Sequence, residues 1–337
     1  MTYIPVGKLP SAFLEDLIER YISPDPRVLV GPGIGEDAAV IDMGRRCLVA
    51  KTDPVTFASD EIGWYAVHVN ANDVACCGAV PRWFLATVLL PEGRTTSELA
   101  ERIFRQIAEA CRGLGVSLCG GHTEITYGLE RPIVVGQMLG EVERDGWIRT
   151  GGAQVGDAVI LTKGIAVEGT AVVAREKGAA LAEAVSAETL ERAARYLHAP
   201  GISVVREARV ALEVGGVHAL HDPTEGGVAT GLWELAQAAG VGLHVEEASL
   251  PILPECEQLC RHLGLDPLGL IGSGALLIAA ARQRAQAMVR RLRAEDVPAT
   301  IIGEVMPADT GCRLRTRDGE LRPLPSFRRD EIARLFD

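Results

Sequence analysis

The sequence predicts an α+β fold made of two successive domains. Helix-like and strand-like segments follow one another in both halves, and several strand segments lie close enough in sequence to pair antiparallel. With 337 residues the chain is long enough for two hydrophobic cores. The segment TGGAQVGD, residues 150–157, places three glycines before a fresh apolar strand, which marks the best boundary. We therefore expect domains at residues 1–152 and 153–337.

The first half is predicted to contain a hairpin and a series of strands and helices. Its hairpin turns at Gly44, because two short apolar runs flank that glycine. Apolar residues recurring every three to four positions predict the helices. The predicted segments are a helix at 11–21, hairpin strands at 38–43 and 46–51, helices at 60–79 and 95–114, and strands at 81–90, 116–119 and 133–142.

The second half is predicted to continue the mixture of helices and strands. Its strands are short apolar runs, and a further hairpin is expected at RDGE, residues 317–320. The predicted strands are 158–162, 217–221, 275–280 and 299–305, and the predicted helices are 167–177, 187–197, 202–212, 224–239 and 283–295.

Composition and charge favour a protein that acts on a small ligand. The chain carries 34 basic and 45 acidic residues, a formal net charge of −11, which disfavours a general binder of nucleic acid or anionic membrane. The most apolar stretch, residues 269–281, is too short to span a bilayer, and the first residues lack a signal-peptide pattern. We expect a cytoplasmic protein with neither nucleic acid nor membrane as a partner.

The eight cysteines show no metal-binding spacing. There is no C-x-x-C pair and no cluster of His and Cys at zinc-ligand spacing. Cys76 and Cys77 are adjacent, and Cys256 and Cys260 lie one helical turn apart. We interpret both pairs as small buried hydrophobic residues.

The familiar phosphate-binding motifs are absent, so the acidic residues are the main candidates for a functional site. Neither a P-loop nor a correctly spaced G-x-G-x-x-G precedes a helix. Asp37 follows a glycine-rich loop at a strand entrance, where backbone N–H groups can approach an anion, although a plain glycine turn explains it as well. Asp53 precedes Pro54, and simple strand termination is the alternative to a ligand role.

The helix segment AVHVNANDVACCGA, residues 66–79, places polar side chains on several faces. His68, Asn70, Asn72 and Asp73 interrupt small apolar residues, and a buried polar group without a partner costs about 1–3 kcal/mol. The helix therefore needs internal polar partners. A buried hydrogen-bond network and a ligand role for Asn72 and Asp73 are both open.

Two further segments combine glycines with titratable residues. In LCGGHTEIT, residues 118–126, His122 and Glu124 are two apart on an extended segment and face the same way, toward one ligand or toward solvent at a strand end. In HDPTEGG, residues 221–227, we expect Asp222 at the N-cap of a helix, with Pro223 at N1 and Glu225 at N3. Such a helix end also suits a phosphate.

Taken together, these motifs resemble a known superfamily. GEDAAVI, KTDP, NANDVACCGAVP, GVSLCGGHTE, VGDAVILTKGIAVEGTA and HDPTEGG occur in this order. The series is similar to the ATP-binding superfamily of aminoimidazole ribonucleotide (AIR) synthetase, selenophosphate synthetase, thiamine-monophosphate kinase and the hydrogenase maturation protein HypE. GGHTE with KGIAVEGTA looks most like the HypE-like members, and the resemblance spans most of the chain.

The resemblance implies a PurM-like fold and a site for Mg²⁺ and ATP. The N-terminal domain would share a β-barrel with its partner in a homodimer, the C-terminal domain would be an α/β layer domain, and ATP would lie between the two domains. The implied catalytic residues are Asp73, His122 and Glu124, and the implied metal ligands are Asp37, Asp53, Asp73 and Asp222. The implied nucleotide contacts are Gly33, Gly35, Asp37, Lys51, Asp53, Asn72, Gly121 and Asp222. The positive charges of Lys51 and Lys163 suit phosphate contacts, although ordinary lysines at strand ends explain both residues as well.

The chemistry implied by the resemblance is transfer of the ATP γ-phosphoryl group to an oxygen, often that of an amide. In HypE the acceptor is a carboxamide on a C-terminal cysteine, whereas the tail here, RRDEIARLFD, contains none and the last cysteine is Cys312. We therefore expect the acceptor to be a small molecule or a group on a partner protein. The alternatives are a maturation factor acting with a protein partner, a thiamine-monophosphate kinase-like enzyme, and a nucleotide-binding regulator without turnover.

Overall fold

The computed structural model describes residue 4 and residues 9–33, 36–56 and 60–335, which form two β-sheets covered by helices. The strands are β1 Val28–Val30, β2 Ala39–Asp42, β3 Arg46–Val55, β4 Val80–Pro91, β5 Ser117–Thr126, β6 Ile133–Glu143, β7 Ala158–Thr162, β8 Val217–His221, β9 Gly242–Glu246, β10 Leu277–Ala280, β11 Ala299–Met306, β12 Cys312–Arg315 and β13 Leu321–Pro323. The helices are α1 Ser11–Tyr21, α2 Ile62–Cys76, α3 Ser97–Leu114, α4 Val167–Leu181, α5 Ala187–Ala194, α6 Val205–Val214, α7 Gly227–Ala239, α8 Pro254–Leu263 and α9 Arg282–Ala294.

The first sheet has six strands in the order β1-β2-β3-β6-β4-β5. All neighbours pair antiparallel except β4 and β5, which run parallel. Helix α2 packs on β3 and β6, and α3 packs on α2. The approach of these two helices requires Gly63, because a Cβ there would lie 2.7 Å from the carbonyl oxygen of Ile103. The first half thus places α2 between its sheet and the rest of the molecule.

The second sheet has seven strands in the order β13-β12-β9-β11-β7-β10-β8, and only β9 and β12 pair in parallel. Strand β7 is buried on both faces. Val159 and Leu161 pack into a core with residues of α7, whereas Ile160 packs with residues of α6 and α9. Alternate side chains of a strand point to opposite faces, so helices cover the sheet on both sides. The predicted α/β layer architecture of the second half is confirmed.

Most predicted elements are present, and several have the predicted bounds. Helix α1 and strands β7 and β8 match residue for residue, and the hairpin across Gly44 is formed by β2 and β3. The RDGE hairpin is formed by β12 and β13. Strands β1 and β9 and helix α8 were not predicted. The two sheets use residues 28–143 and 158–323, while the boundary at 152/153 itself stays a prediction.

Strand β5 is the largest error in element length. The sequence predicted a strand at 116–119, but the strand continues through Gly120 and Gly121 to Thr126. Gly121 has φ of +148°, and a Cβ at this residue would lie 2.0 Å from the carbonyl oxygen of Ala86 on β4. The glycines, which usually end strands, here permit β5 to approach β4.

The two halves meet along α2, which contacts both α6 and β8 of the second half. Thirteen of its fifteen residues are buried. Because α2 lies against the second sheet's edge strand, its residues Asn72 and Asp73 face residues far away in sequence. Among the described residues, no helix is both long and apolar enough to cross a membrane.

Candidate functional site

A cluster of acidic side chains lies where α2 meets the end of β8. One ligand atom each of Asp37, Cys76 and Asp222 lies within 4.8 Å of the other two. Asp37 precedes β2, Cys76 ends α2, and Asp222 directly follows β8, so three separate elements build the cluster. Asp73, one helical turn before Cys76, interacts electrostatically with Asp222 and Asp37. The structure thus brings together acids separated by up to 185 positions in the chain.

Two positively charged side chains balance these acids. Lys51 Nζ on β3 lies 3.0 Å from Asp73 Oδ2 and 3.7 Å from Asp53 Oδ2. His221 Nδ1 lies 3.3 Å from the Asp37 carboxylate, and its Nε2 lies 2.9 Å from Glu234 Oε2. Four of the predicted site residues, Asp37, Lys51, Asp53 and Asp73, therefore belong to one network with Asp222.

Burial and mutual repulsion divide the acids by protonation. Burial raises the pKa of Asp73 well above its usual range, and the nearby Asp222 adds to this effect more than Lys51 offsets it. Burial, reinforced by Asp37, raises the pKa of Asp222 to about 7. Burial also acts to raise the pKa of Asp37, but His221 and Lys51 outweigh it and lower the pKa overall.

His221 is held as an imidazolium by its two carboxylate neighbours. Burial alone would lower its pKa, but Asp37 and then Glu234 raise the pKa well above its usual range. Thr150 Oγ1 donates a further hydrogen bond of 3.0 Å to Asp37. Asp37 is therefore an ionised carboxylate fixed by two donors at the entrance of β2.

The polar residues of α2 divide into structural groups and site groups. Asn70 Nδ2 donates to the carbonyl oxygens of Ala66 and Asp53, and His68 Nδ1 contacts the carbonyl oxygen of Trp64. Asn72 Nδ2 donates to the carbonyl oxygen of Ile202, and its Oδ1 accepts from the N–H of Val204, both at 2.8 Å. The predicted internal partners of the helix are confirmed. Asn72 connects α2 to the second half, so its amide is already engaged.

The predicted N-cap at Asp222 is wrong. Helix α7 begins at Gly227, and Gly226, in the left-handed conformation, occupies the cap position without a side-chain bond. Gly226 and Gly227 both have positive φ, which delays the helix and leaves Asp222 outside it. The side chain of Asp222 turns instead toward Cys76, whose Sγ lies 3.4 Å from Oδ1. Strand termination at Asp53 is also wrong, because β3 continues through Pro54 to Val55.

His122 and Glu124 do lie on the same face, but the structure does not bring them to the acidic cluster of the same chain. His122 Nε2 is 3.5 Å from Glu124 Oε2, and both side chains are more than half exposed. Asp53 pairs with Gly136, Gly136 with Ala86, and Ala86 with Gly121. Three strand spacings, about 14 Å in all, therefore separate Asp53 from Gly121, the neighbour of His122.

The remaining predicted contacts are divided between two regions. Gly33 accepts a hydrogen bond from the N–H of Glu36, the residue before Asp37, while Gly35 lies outside the described residues. Lys163 is buried and pairs with Glu207 at 2.8 Å, and its Nζ also donates to the carbonyl oxygens of Gly201 and Ser203. These partners give Lys163 a structural role.

Sequence reasoning missed His221 and Cys76 as members of the cluster. His221 precedes Asp222 directly, and the pairing of a titratable His with an Asp at a strand end was a signal that could have found it. Cys76 was interpreted as a buried hydrophobic residue. It is buried, but it follows Asp73 by three positions on a helix, a spacing that places both side chains on one face.

Comparison with known proteins defines the class to which this fold and site belong. Two family models match the chain. The model of the AIR synthase related protein, N-terminal domain, matches residues 35–142, and the model of the AIR synthase related protein, C-terminal domain, matches residues 154–312. The chain belongs to the family of AIR synthase related proteins. The superfamily resemblance predicted from the motifs is confirmed.

Within this family the chain is similar to HypE proteins. It is 30% identical to the carbamoyl dehydratase HypE of Cupriavidus necator over 312 residues, 89% of this chain and 86% of the relative. It is 29% identical to the hydrogenase expression/formation protein HupE of Azotobacter chroococcum over 315 residues, 89% of this chain and 88% of the relative. A crystal structure of the hydrogenase maturation protein HypE in complex with ATP superimposes with a TM-score of 0.72 at 27% identity, covering 95% of this chain and 96% of that one. The PurM-like two-domain fold is thereby confirmed.

Proposed function

We propose that this protein is an ATP-dependent enzyme that transfers the γ-phosphoryl group to an oxygen of an amide- or carboxamide-type acceptor. The observation that carries the proposal is the buried cluster of Asp37, Asp73 and Asp222 between the two halves, with Lys51 and His221 beside it. The relatives support the reaction class, since C. necator HypE is a carbamoyl dehydratase and a HypE structure contains ATP. Activation of a carbamoyl oxygen by phosphorylation makes it a leaving group.

The donor set fits Mg²⁺ as the accompanying cation. Carboxylate oxygens are the ligands that Mg²⁺ prefers, and Asp222 Oδ2 is buried without a hydrogen-bond partner among the described residues. We propose Asp37, Asp53, Asp73 and Asp222 as the residues that hold the cation. When bound, it supplies positive charge that keeps these carboxylates ionised and neutralises phosphate oxygens.

The side chains around the cluster have separate roles in this proposal. Lys51 lies next to Asp73 and contributes a positive charge for the phosphates. His221 fixes the orientation of Asp37 and is itself oriented by Glu234. Gly33 accepts a hydrogen bond from the N–H of Glu36, directly before Asp37, and we propose that this glycine-rich segment contributes backbone N–H groups to the nucleotide phosphates. Phosphoryl transfer depends mainly on this positioning and on charge.

We propose a homodimer that uses β5 as its edge. Nine of the ten residues of β5 are exposed, and within the described residues this edge strand of the first sheet pairs on one side only. Exposed apolar side chains accompany it at Leu118, Ile125 and Tyr127. A second copy would cover this edge and bring its own His122 and Glu124 into a shared barrel, which is how those two residues contribute to the site in our proposal.

A maturation role with a protein partner is the second candidate. HupE of A. chroococcum is a hydrogenase expression/formation protein, so the acceptor can be a group carried by another protein. We propose the cytoplasm as the location, because all eight cysteines are free thiols, as is usual in a reducing compartment.

Calorimetric titration with ATP, with and without Mg²⁺, tests the site. We expect Mg²⁺-dependent binding by the wild-type protein and at least a tenfold loss in Asp222→Asn. Asp157→Asn is the matched control, because Asp157 is also a buried aspartate paired with a histidine, His218 at 2.9 Å, but lies outside the cluster. ADP release with carboxamide acceptors then tests turnover. Absence of ATP binding by the wild-type protein with Mg²⁺ would remove the proposal.

A further inference from the structure

The acidic cluster contains a thiol that the proposed reaction does not use. Cys76 ends α2, and its Sγ lies 3.4 Å from Asp222 Oδ1. One carboxylate oxygen of Asp37 completes a group of three ligand atoms that all lie within 4.8 Å of one another. Cys76 is 1% exposed and Asp222 2% exposed, whereas Asp37 is only partly buried and forms the more accessible side of the group. A sulfur ligand stands among oxygen ligands.

Asp222 supplies a second and independent indication of a ligand. Its Oδ2 is buried and has no hydrogen-bond partner among the described residues, while Oδ1 is oriented toward Cys76. A buried carboxylate oxygen without a partner is costly, and proteins usually satisfy such an atom with a donor or a cation. The unpartnered oxygen belongs to the same carboxylate that contacts the thiol.

The separation of Cys76 and Asp222 suits a small, tetrahedrally coordinated cation. Zinc binds sulfur at about 2.3 Å and carboxylate oxygen at about 2.0–2.2 Å, which places adjacent ligand atoms roughly 3.5 Å apart. Without a cation the Cys76 thiol donates a hydrogen bond to Asp222 Oδ1, and the 3.4 Å between these two atoms already agrees with this value. Mg²⁺ prefers oxygen ligands and octahedral geometry, so the thiol contributes nothing to its binding.

We propose that Asp37, Cys76 and Asp222 form a binding site for a borderline-soft divalent cation of the Zn²⁺ class, which competes with Mg²⁺ for the shared carboxylates. The proposal deepens the proposed function, because it concerns regulation of the same site and rests on it for the effect on ATP binding. Binding replaces the thiol proton, which is released to solvent, and forms one metal–sulfur bond.

The charges that face the cluster are compatible with such a cation. Burial raises the pKa of the Cys76 thiol well above its usual range, so the thiol keeps its proton until a cation binds. Asp37 and Asp222 supply the two carboxyl groups, and Asp73 lies beside them. Lys51 and His221 face the cluster from β3 and β8, but each is already paired, Lys51 with Asp73 and His221 with Asp37 and Glu234. A divalent cation would balance the charges of the thiolate and of the Asp222 carboxylate once their protons are released.

Cys77 provides a matched control within the same sequence. It follows Cys76 directly and is also buried, but it packs in the hydrophobic core of the first half. Cys76 packs beside residues of the second half. A change of Cys77 to serine therefore introduces the same chemical alteration without touching the three ligand atoms.

Titration of the full chain with Co²⁺ tests the proposal, because a cobalt–thiolate bond gives a charge-transfer absorption in the near ultraviolet that oxygen ligands do not produce. We expect this band in the wild-type protein and in Cys77→Ser, and we expect its loss in Cys76→Ser. The ratio of Co²⁺ to Mg²⁺ affinity should fall at least tenfold in Cys76→Ser only. Co²⁺ binding without the band, or a band that persists in Cys76→Ser, overturns the proposal.

A second measurement needs no variant and keeps the proposal testable if Cys76→Ser does not fold. X-ray absorption of the wild-type protein loaded with one equivalent of Zn²⁺ should show one sulfur neighbour at about 2.3 Å. A shell of oxygen and nitrogen neighbours alone overturns the thiol ligand. ATP calorimetry separates the two hypotheses: a thiol-bound metal in a protein that never binds Mg²⁺ with ATP supports this site and rejects the proposed function.

Discussion

At the scale of single residues, Asp73 and Glu168 are two buried carboxyl groups with different surroundings. Asp73 has Lys51 at 3.0 Å and Asp222 nearby. Glu168, in the first turn of α4, has one carboxyl oxygen that is buried without a hydrogen-bond partner among the described residues. Burial raises the pKa of Glu168 to about 7, against a smaller lowering effect of Ser273. Each carboxyl allows a separate prediction.

Asp73→Asn should abolish Mg²⁺-dependent ATP binding while it leaves the fold intact. Burial and Asp222 keep the pKa of Asp73 high, so the folded protein without a cation favours the neutral carboxyl that asparagine resembles. We expect thermal unfolding at pH 7 within a few degrees of wild type or above it, and no heat of ATP binding in calorimetry. ATP affinity equal to that of wild type would exclude Asp73 from the site.

Glu168→Gln should change how stability depends on pH. The pKa of Glu168 is about 7 in the folded protein and 4.5 ordinarily, so the folded state holds the proton more tightly. Stability from this group is therefore complete below pH 4.5 and is lost as the pH rises toward 7. We expect the free energy of unfolding of Glu168→Gln to rise relative to that of wild type over this interval, by up to about 3 kcal/mol at pH 8.

Urea unfolding of both proteins at pH 4.5, 6 and 8 measures this difference. The difference between the two free energies of unfolding should grow from pH 4.5 to pH 7 and then stay constant. Glu255→Gln serves as the control, since Arg192 and Tyr196 contact that carboxylate and its pKa is lowered. A constant difference at all three pH values would show that Glu168 titrates normally.

At the scale of elements, β5 and α2 contrast in burial. Strand β5 is exposed along nearly its whole length, whereas α2 is buried on all sides. A long exposed strand at a sheet edge is a site for pairing with another chain, because its backbone groups lack partners on one side. The two elements therefore belong to different surfaces: we propose that β5 faces a second copy, whereas α2 faces the other half of the same chain.

A charge placed on β5 should separate the proposed homodimer. In Ile125→Lys the side chain, 61% exposed in the isolated chain, would bury an unpaired ammonium in the dimer. We expect light scattering after gel filtration to show a dimer for wild type and a monomer for the variant. Val155→Lys is the control. Val155 is 58% exposed, but it lies in the segment between β6 and β7 and is not part of β5. A monomeric wild-type protein would reject the proposed dimer.

Sequence patterns predicted the elements well where the pattern had one explanation. The apolar runs of β7 and β8 predicted their bounds, because β7 is buried along its whole length, the last three residues of β8 are buried, and both strands are flanked by polar or glycine residues. The patterns failed at glycines. Gly121 permits β5 to continue, and Gly226 with Gly227 delays α7, since the same residue type can end an element or allow an unusual backbone within it.

At the scale of the whole molecule, Asn72 joins the two halves. Its side chain makes both of its hydrogen bonds, of 2.8 Å each, to the backbone of residues 202 and 204. These bonds lie one residue away from Asp73 in the acidic cluster. The junction between the halves and the candidate site therefore share one stretch of α2.

Asn72→Ala should loosen this junction. The change leaves the carbonyl oxygen of Ile202 and the N–H of Val204 without their partner, which costs about 2–4 kcal/mol for two buried groups. We expect a lower melting temperature and faster hydrogen exchange of the Val204 amide. The comparison variant is Asn70→Ala, because Asn70 is equally buried but bonds only within the first half. Equal exchange of Val204 in both variants would contradict the role of Asn72.

The sequence alone predicted the acids of the site but not their arrangement. Asp37, Asp53, Asp73 and Asp222 were identified from the motifs, and all four lie in one charge network. The third member of the ligand group, Cys76, and the cation His221 were missed, because their roles depend on contacts between residues distant in sequence. The position of His122 and Glu124 could not be predicted either, since strand order decides it.

The packing of α2 also limits which changes of length this family can tolerate. An α-helix turns by about 100° per residue, so one inserted residue before Asn72 would rotate Asn72, Asp73 and Cys76 together away from their partners. The neighbouring side chains could not shift to restore these contacts, because the helix is packed against other parts of the protein on every side. Insertions and deletions among relatives should therefore collect in exposed turns such as residues 92–95. The length and rotation of α2 therefore set the position of the site residues relative to the two halves.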